Sequence, residues 1–169
     1  EEGIYSSEES AIGIIGRAYK IRINTSVGKQ YESEFDELKG PVQIDSIYAE
    51  IENQIDPGYN YLLSGYQFYI DTKNATEQST YYLWKLEQTY EYNSDYYITQ
   101  MYDGDFHDFN PSDSLYTCWF SEKVDKIFVF GTSNISDPDL EKYPLNYVTT
   151  ETREISIRYS LLVNQLTIG

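Results

Sequence analysis

The side chains best equipped for chemistry lie in one stretch. Asp103, Asp105, Asp108, Asn110 and Asp113 place oxygen donors close together around Gly104 and His107. A hard cation such as calcium takes about six to eight oxygen ligands, so calcium is the candidate cofactor of this segment. The order departs from the EF-hand loop, since counting from Asp103 no glycine stands sixth and no glutamate twelfth, and a solvated acidic loop is the competing reading. His107 and Cys118 are the only histidine and the only cysteine. One of each supplies neither a multi-cysteine zinc site nor a disulfide. Cys118 stands among large apolar neighbours in Tyr116-Thr117-Cys118-Trp119-Phe120 and reads as a buried, inert thiol.

Carboxylates are abundant, 28 against 12 Lys and Arg. A glycosidase needs two of them about 5 or 10 Å apart, but abundance removes any meaning from a particular pair. The chain therefore reads as no enzyme, with a carboxylate-pair glycosidase as the alternative. The net charge of -16 repels phosphate backbones and excludes nucleic acid as a partner. Aromatic residues are the other surplus, with 19 Tyr against a core's needs. Tyr59, Tyr61, Tyr66, Tyr69, Tyr96, Tyr97 and Tyr102 are the candidate binding residues, because tyrosine stacks on sugar rings and anchors protein interfaces. Amphipathic tyrosines lining the wet side of strands are the plainer reading.

The elements that must position these groups are strands. From Tyr82 to Tyr92 the side chains alternate, with Tyr82, Trp84, Leu86, Tyr90 and Tyr92 on one face and Leu83, Lys85, Glu87, Thr89 and Glu91 on the other. A period of two with one apolar face is the pattern of a half-buried strand, here expected at the middle of an antiparallel sheet. Tyr19, Ile21 and Ile23 alternate in the same way, and Gly28 with Tyr31, Ser33 and Phe35 completes a hairpin. Further strands are expected over Val42–Glu52, around Tyr66–Ile70, more weakly at Tyr96–Thr99, over Lys126–Phe130 and from Ile155 to Val163. Asp56-Pro57-Gly58 marks a turn, and Tyr102–Tyr116 reads as the longest loop. The fold class is all-β, an antiparallel β-sandwich of immunoglobulin-like type, with Tyr82, Trp84, Leu86, Phe128, Tyr159 and Leu161 in one core. Lys39-Gly40-Pro41 is the one candidate boundary. It divides residues 1–40, the tail of an incomplete second sandwich, from a sandwich domain over 41–169. Opening on Glu1-Glu2-Gly3 without Met, the chain reads as a piece of a longer protein, and no apolar run is long enough to span a bilayer.

An ordered set of segments carries a resemblance. Gly13–Ile23, Gly28–Glu34, Pro41–Tyr48, Tyr81–Lys85, Glu87–Glu91, Cys118-Trp119 and Tyr159–Gln165 occur in an order similar to that of a Bacteroidetes family of secreted lipoproteins known as a domain of unknown function. The resemblance implies an N-terminal sandwich of immunoglobulin-like or carboxypeptidase-regulatory-like type. It implies lipid anchoring of the parent protein at the outer membrane or cell surface through a cysteine absent from this chain, and a C-terminal truncation of the domain. It also implies a TonB-dependent receptor or envelope complex as partner, and it brings no catalytic residues. The expected function is a non-catalytic accessory module docking on that transporter. The alternative is a binding protein that captures a glycan or peptide for nutrient uptake.

Overall fold

The computed structural model describes residues 12–55, 60–73, 81–109, 116–132 and 139–168. The expected turn at Asp56-Pro57-Gly58 and the candidates Tyr59, Asn110 and Asp113 lie outside the described residues. The protein is all-β with antiparallel sheets, and among the described residues the one helical turn is the 3-10 turn Arg153–Ile155.

Two sheets form the body. The first is β12–β6–β5, built from β5 (Ile44–Ile55), β6 (Leu62–Thr72) and β12 (Leu140–Thr149). β5 and β6 pair as a hairpin, with Ile47 opposite Ile70 and Ile55 opposite Leu62. The second is centred on β7 (Tyr81–Asn93), the strand expected to lie in the middle. β13 (Arg158–Ile168) runs along one side of it from Arg158 opposite Glu91 to Ile168 opposite Tyr81. On its other side β10 (Thr117–Lys123) covers one half and β11 (Phe128–Gly131) the other.

The even-numbered face of β7 explains how the sheets meet. Tyr82, Trp84, Leu86 and Tyr90 are buried, and Tyr82, Trp84 and Leu86 join Phe128 and, from the opposite sheet, Ile70, Leu140 and Leu145 in one cluster. Leu161 and Val163 pack against it, and the Tyr159 ring lies 5.3 Å from Phe68 across the gap. Trp84 is wholly buried. Its ring stands 4.8 Å from that of Tyr143, and its indole N–H donates to Gln165 Oε1 at 2.8 Å, while Gln165 Nε2 donates to the Val42 carbonyl at 2.8 Å. Indole burial with its N–H partnered is the arrangement that gains the area without stranding a donor.

At the N-terminal side β1 (Ala18–Tyr19) pairs with β4 (Asp36–Glu37), and β2 (Arg22–Asn24) with β3 (Gln30–Glu32). The turn between β2 and β3 closes through Gly28, whose φ of 80° suits a residue without Cβ.

Three expectations shift. No strand forms at Tyr96–Thr99; instead β8 (Gln100–Tyr102) and β9 (Phe106–Asp108) make a hairpin that reaches into the segment expected to be a loop. The rings of Tyr96 and Tyr97 have no sheet partner to pleat against, whereas the Gly104 turn brings Tyr102 opposite Phe106 with their rings tilted against each other. The last strand starts at Arg158, because Ile155 belongs to the 3-10 turn. Finally, Ile47, Ile51 and Ile55 alternate as a strand should but are exposed, since β5 is the edge of its sheet and overhangs its partner.

Candidate functional site

The sequence candidates come together chiefly in one place, the segment between β7 and β10. Its base is closed by Ser94 N–H donating to the Tyr116 carbonyl at 2.8 Å, and its stem by Phe109 N–H donating to Thr99 at 2.9 Å. Above these, β8 and β9 pair with each other and with no other described strand. Tyr102 stands opposite Phe106 with ring centroids 5.2 Å apart, and Tyr97 lies 4.7 Å from Tyr116. These rings are paired and yet wet. Tyr96 is 82% exposed, Phe106 75%, Tyr102 66% and Tyr97 64%. Two aromatic pairs this accessible on one segment are the kind of surface that proteins reserve for a partner.

The acidic candidates share the hairpin. Asp103 and Asp105 flank Gly104, whose φ of 124° makes the reversal. His107 Nε2 and Asp103 Oδ1 are 2.7 Å apart, so the lone histidine is an exposed tip residue tied to one of the carboxylates. Asp108 pairs with Gln100 at the far end of the ribbon. With a strand rise of about 3.4 Å per residue it stands about 10 Å along the backbone from Asp105, too far for both to share one ion without reshaping the hairpin. Among the described residues no group of three or more His, Cys, Asp or Glu converges as metal ligands would.

The other candidate tyrosines lie elsewhere. Tyr61 and Tyr66 are half-exposed on β6 and the loop before it. Tyr69 is buried, and its hydroxyl donates to Glu52. That bond, with burial, pushes the Tyr69 hydroxyl up to about 12. The Lys142 ammonium lies 4.9 Å over the same ring and 2.6 Å from Glu50. Lys142 itself holds a left-handed φ of 53° where β12 shifts register, and its N–H donates to Asp71 Oδ1 at 2.7 Å. Burial raises the Asp71 carboxyl, but the bonds from Lys142, Ser46 and Tyr48 outweigh it and hold the group below the ordinary aspartate range. Every polar group of this face is answered by another, so Tyr69 buttresses the sheet and offers no ring face to a ligand.

Sequence reasoning passed over two further groups. Phe106 extends the aromatic surface, Met101 is exposed on the other face of the ribbon, and Trp119, 55% exposed on β10 with the Arg158 guanidinium 5.7 Å over its ring, stands near its base. The signal was present in the alternation of Tyr102 and Phe106 about Gly104. Inside the sandwich, Gln88 interrupts the apolar face of β7. It accepts from the Tyr159 hydroxyl at 3.0 Å and donates to Glu122 Oε1 at 2.7 Å, and Asn146 lies beside the same hydroxyl. Burial pushes Tyr159 up to about 12. A lone amide in an otherwise aromatic row is the signal of such a network. Cys118 is half-buried in β10.

The family model described as Domain of unknown function (DUF4249) matches residues 1–169. The chain belongs to the DUF4249 family. No curated protein and no solved structure matches it. In this DUF4249 chain the aromatic hairpin is thus the site that fold and exposure single out.

Proposed function

We propose that this chain is a non-catalytic interaction module of an outer-membrane lipoprotein, docking through its Gln100–Asp108 hairpin and the exposed tyrosines before it on a TonB-dependent transporter or a larger envelope complex. One observation carries the reading. Tyr102 and Phe106 are solvent-exposed on a two-stranded ribbon that pairs with no other described strand, and Tyr96 and Tyr97 are exposed in the segment leading into it. A ribbon of two strands is marginal alone in water, and burying its rings against a partner stabilises both the ribbon and the contact. Asp95, Asp103, Asp105 and Asp108 surround the rings, so the complementary surface is apolar with a basic rim. The partner class and the lipid anchor come from the resemblance. So does the assignment of residues before about 40 to a neighbouring sandwich.

The second reading is capture of a glycan or peptide by the same rings, since Tyr102 and Phe106 present faces on which a sugar could stack. The test is affinity purification of the intact protein from native membranes, with mass spectrometry of what is recovered. Recovery of the transporter with the wild type, lost when Tyr96, Tyr97 and Tyr102 are changed to Ser, supports docking. Recovery of the protein alone, with glycan-array binding that the same changes abolish, overturns docking in favour of capture.

A further inference from the structure

Where β10 ends at Lys123 and β11 begins at Phe128, the edge of β7 is left uncovered. Val124 N–H still reaches the Leu86 carbonyl at 3.0 Å, but Asp125, Lys126 and Ile127 swing away from the strand. The gap is an open cleft of about 760 Å³. Its apolar wall is Val124, Ile127 and Leu166, with Ile127 81% exposed and Leu166 44%. Lys85, Lys123 and Lys126 line it as well.

Six of the 12 Lys and Arg have no ion pair among the described residues, and three of those six share this cleft. Lys20, Arg22, Lys39, Lys73, Lys142 and Arg158 each have a carboxylate within ion-pair distance. Lys85, Lys123 and Lys126 have none among the described residues, although Lys123 stands opposite Glu87 on the paired strand and Asp125 lines the same cleft. Glu87 and Asp125 leave the cleft one positive charge in excess, on a protein whose net charge is -16. Cations left unpaired beside an exposed apolar wall are arranged for a ligand that has both an anionic head and an apolar tail.

We infer that the β10–β11 cleft binds an anionic amphiphile, its carboxylate or phosphate head held by Lys85, Lys123 and Lys126 and its hydrocarbon tail lying on Ile127 and Leu166. The site is separate from the aromatic hairpin and does not depend on the docking reading. A head contacted by several ammonium groups is screened by salt, so binding weakens as ionic strength rises. Because the tail contributes through buried area, a polar residue at 127 removes it without touching the charge.

The probe is decanoate, kept below its micellar concentration and titrated calorimetrically into the full protein. Saturable binding is expected. It falls at least tenfold when Lys85, Lys123 and Lys126 are replaced together by Gln, and also in Ile127→Ser, whereas decyltrimethylammonium does not bind. Cosedimentation with phosphatidylglycerol vesicles distinguishes the sources of the head group. Vesicle binding lost in the triple variant assigns a lipid surface, and decanoate binding without vesicle binding assigns a free amphiphile. Absence of both kinds of binding overturns the inference. So does decanoate binding that the lysine changes leave intact, or equal affinity for the cationic amphiphile.

Discussion

Replacing Trp84 by Ala is the most searching perturbation of the sandwich. The side chain is wholly buried, stacks on Tyr82 at 5.6 Å, meets the tilted ring of Tyr143 at 4.8 Å, and holds Gln165 through its indole N–H. Truncating a buried aromatic to Ala costs about 3–5 kcal/mol, of which the hydrogen bond accounts for about 1 kcal/mol. With a urea m-value of about 2 kcal/mol/M, the midpoint is expected to fall by about 1.5–2.5 M, read by far-ultraviolet circular dichroism. Trp84→Phe keeps most of the ring and strands only the Gln165 oxygen, so about 0.5–1 M is expected. Trp119→Ala, on the wet face of β10, should stay within about 0.5 kcal/mol of the wild type. A Trp84→Ala midpoint within 0.5 M of the wild type, or an equal loss from Trp119→Ala, would refute the assignment of the core.

The remaining outcomes concern single contacts. A Cβ on Gly65 would lie 2.5 Å from both the Tyr147 ring and the Val148 carbonyl oxygen, so Gly65→Ala should force β6 and β12 apart and cost about 1–3 kcal/mol in urea unfolding. The Asp71 carboxyl is held below its ordinary value of 3.8, so the stability it contributes is present above that pH and is lost as pH falls through the folded value. Asp71→Asn should therefore melt lower than the wild type near neutrality, with a gap that narrows below pH 3.8; a gap constant with pH would contradict this. The raised Tyr159 hydroxyl works in the opposite sense, its contribution being complete below pH 10.0 and lost as pH rises towards about 12. Tyr159→Phe should flatten the fall of melting temperature over that alkaline range, and an unchanged slope would show that the hydroxyl is not where the fold puts it.

The central strand was the most legible element, because Tyr82, Trp84 and Leu86 alternate with Leu83, Lys85 and Glu87 and only a strand places them on one face. Phe128, in a compact apolar run, and Leu161, by its period, were likewise readable as core, while Tyr159 is half-buried beside Phe68. The edge position of β5 was not. An apolar Ile47, Ile51 and Ile55 face looks the same in sequence whether or not a second sheet extends far enough to cover it. The hairpin at Gly104 was hidden by its acidic composition, which reads as loop, although a glycine reversal between Tyr102 and Phe106 was visible. Tyr69 shows the limit of reading tyrosines by number, since its partners Glu52 and Lys142 come from two other strands, the second of them distant in the chain.

Site-specific photo-crosslinking tests the docking claim most directly. A benzoylphenylalanine placed at Tyr97 or Tyr102 of the intact protein in its native membrane is expected to attach to a TonB-dependent transporter or its envelope complex. The same group at Ser160, on the outer face of β13, is expected to attach to nothing comparable. Equal attachment from Ser160, or none from Tyr97 and Tyr102, would contradict the assignment of the aromatic hairpin as the docking surface.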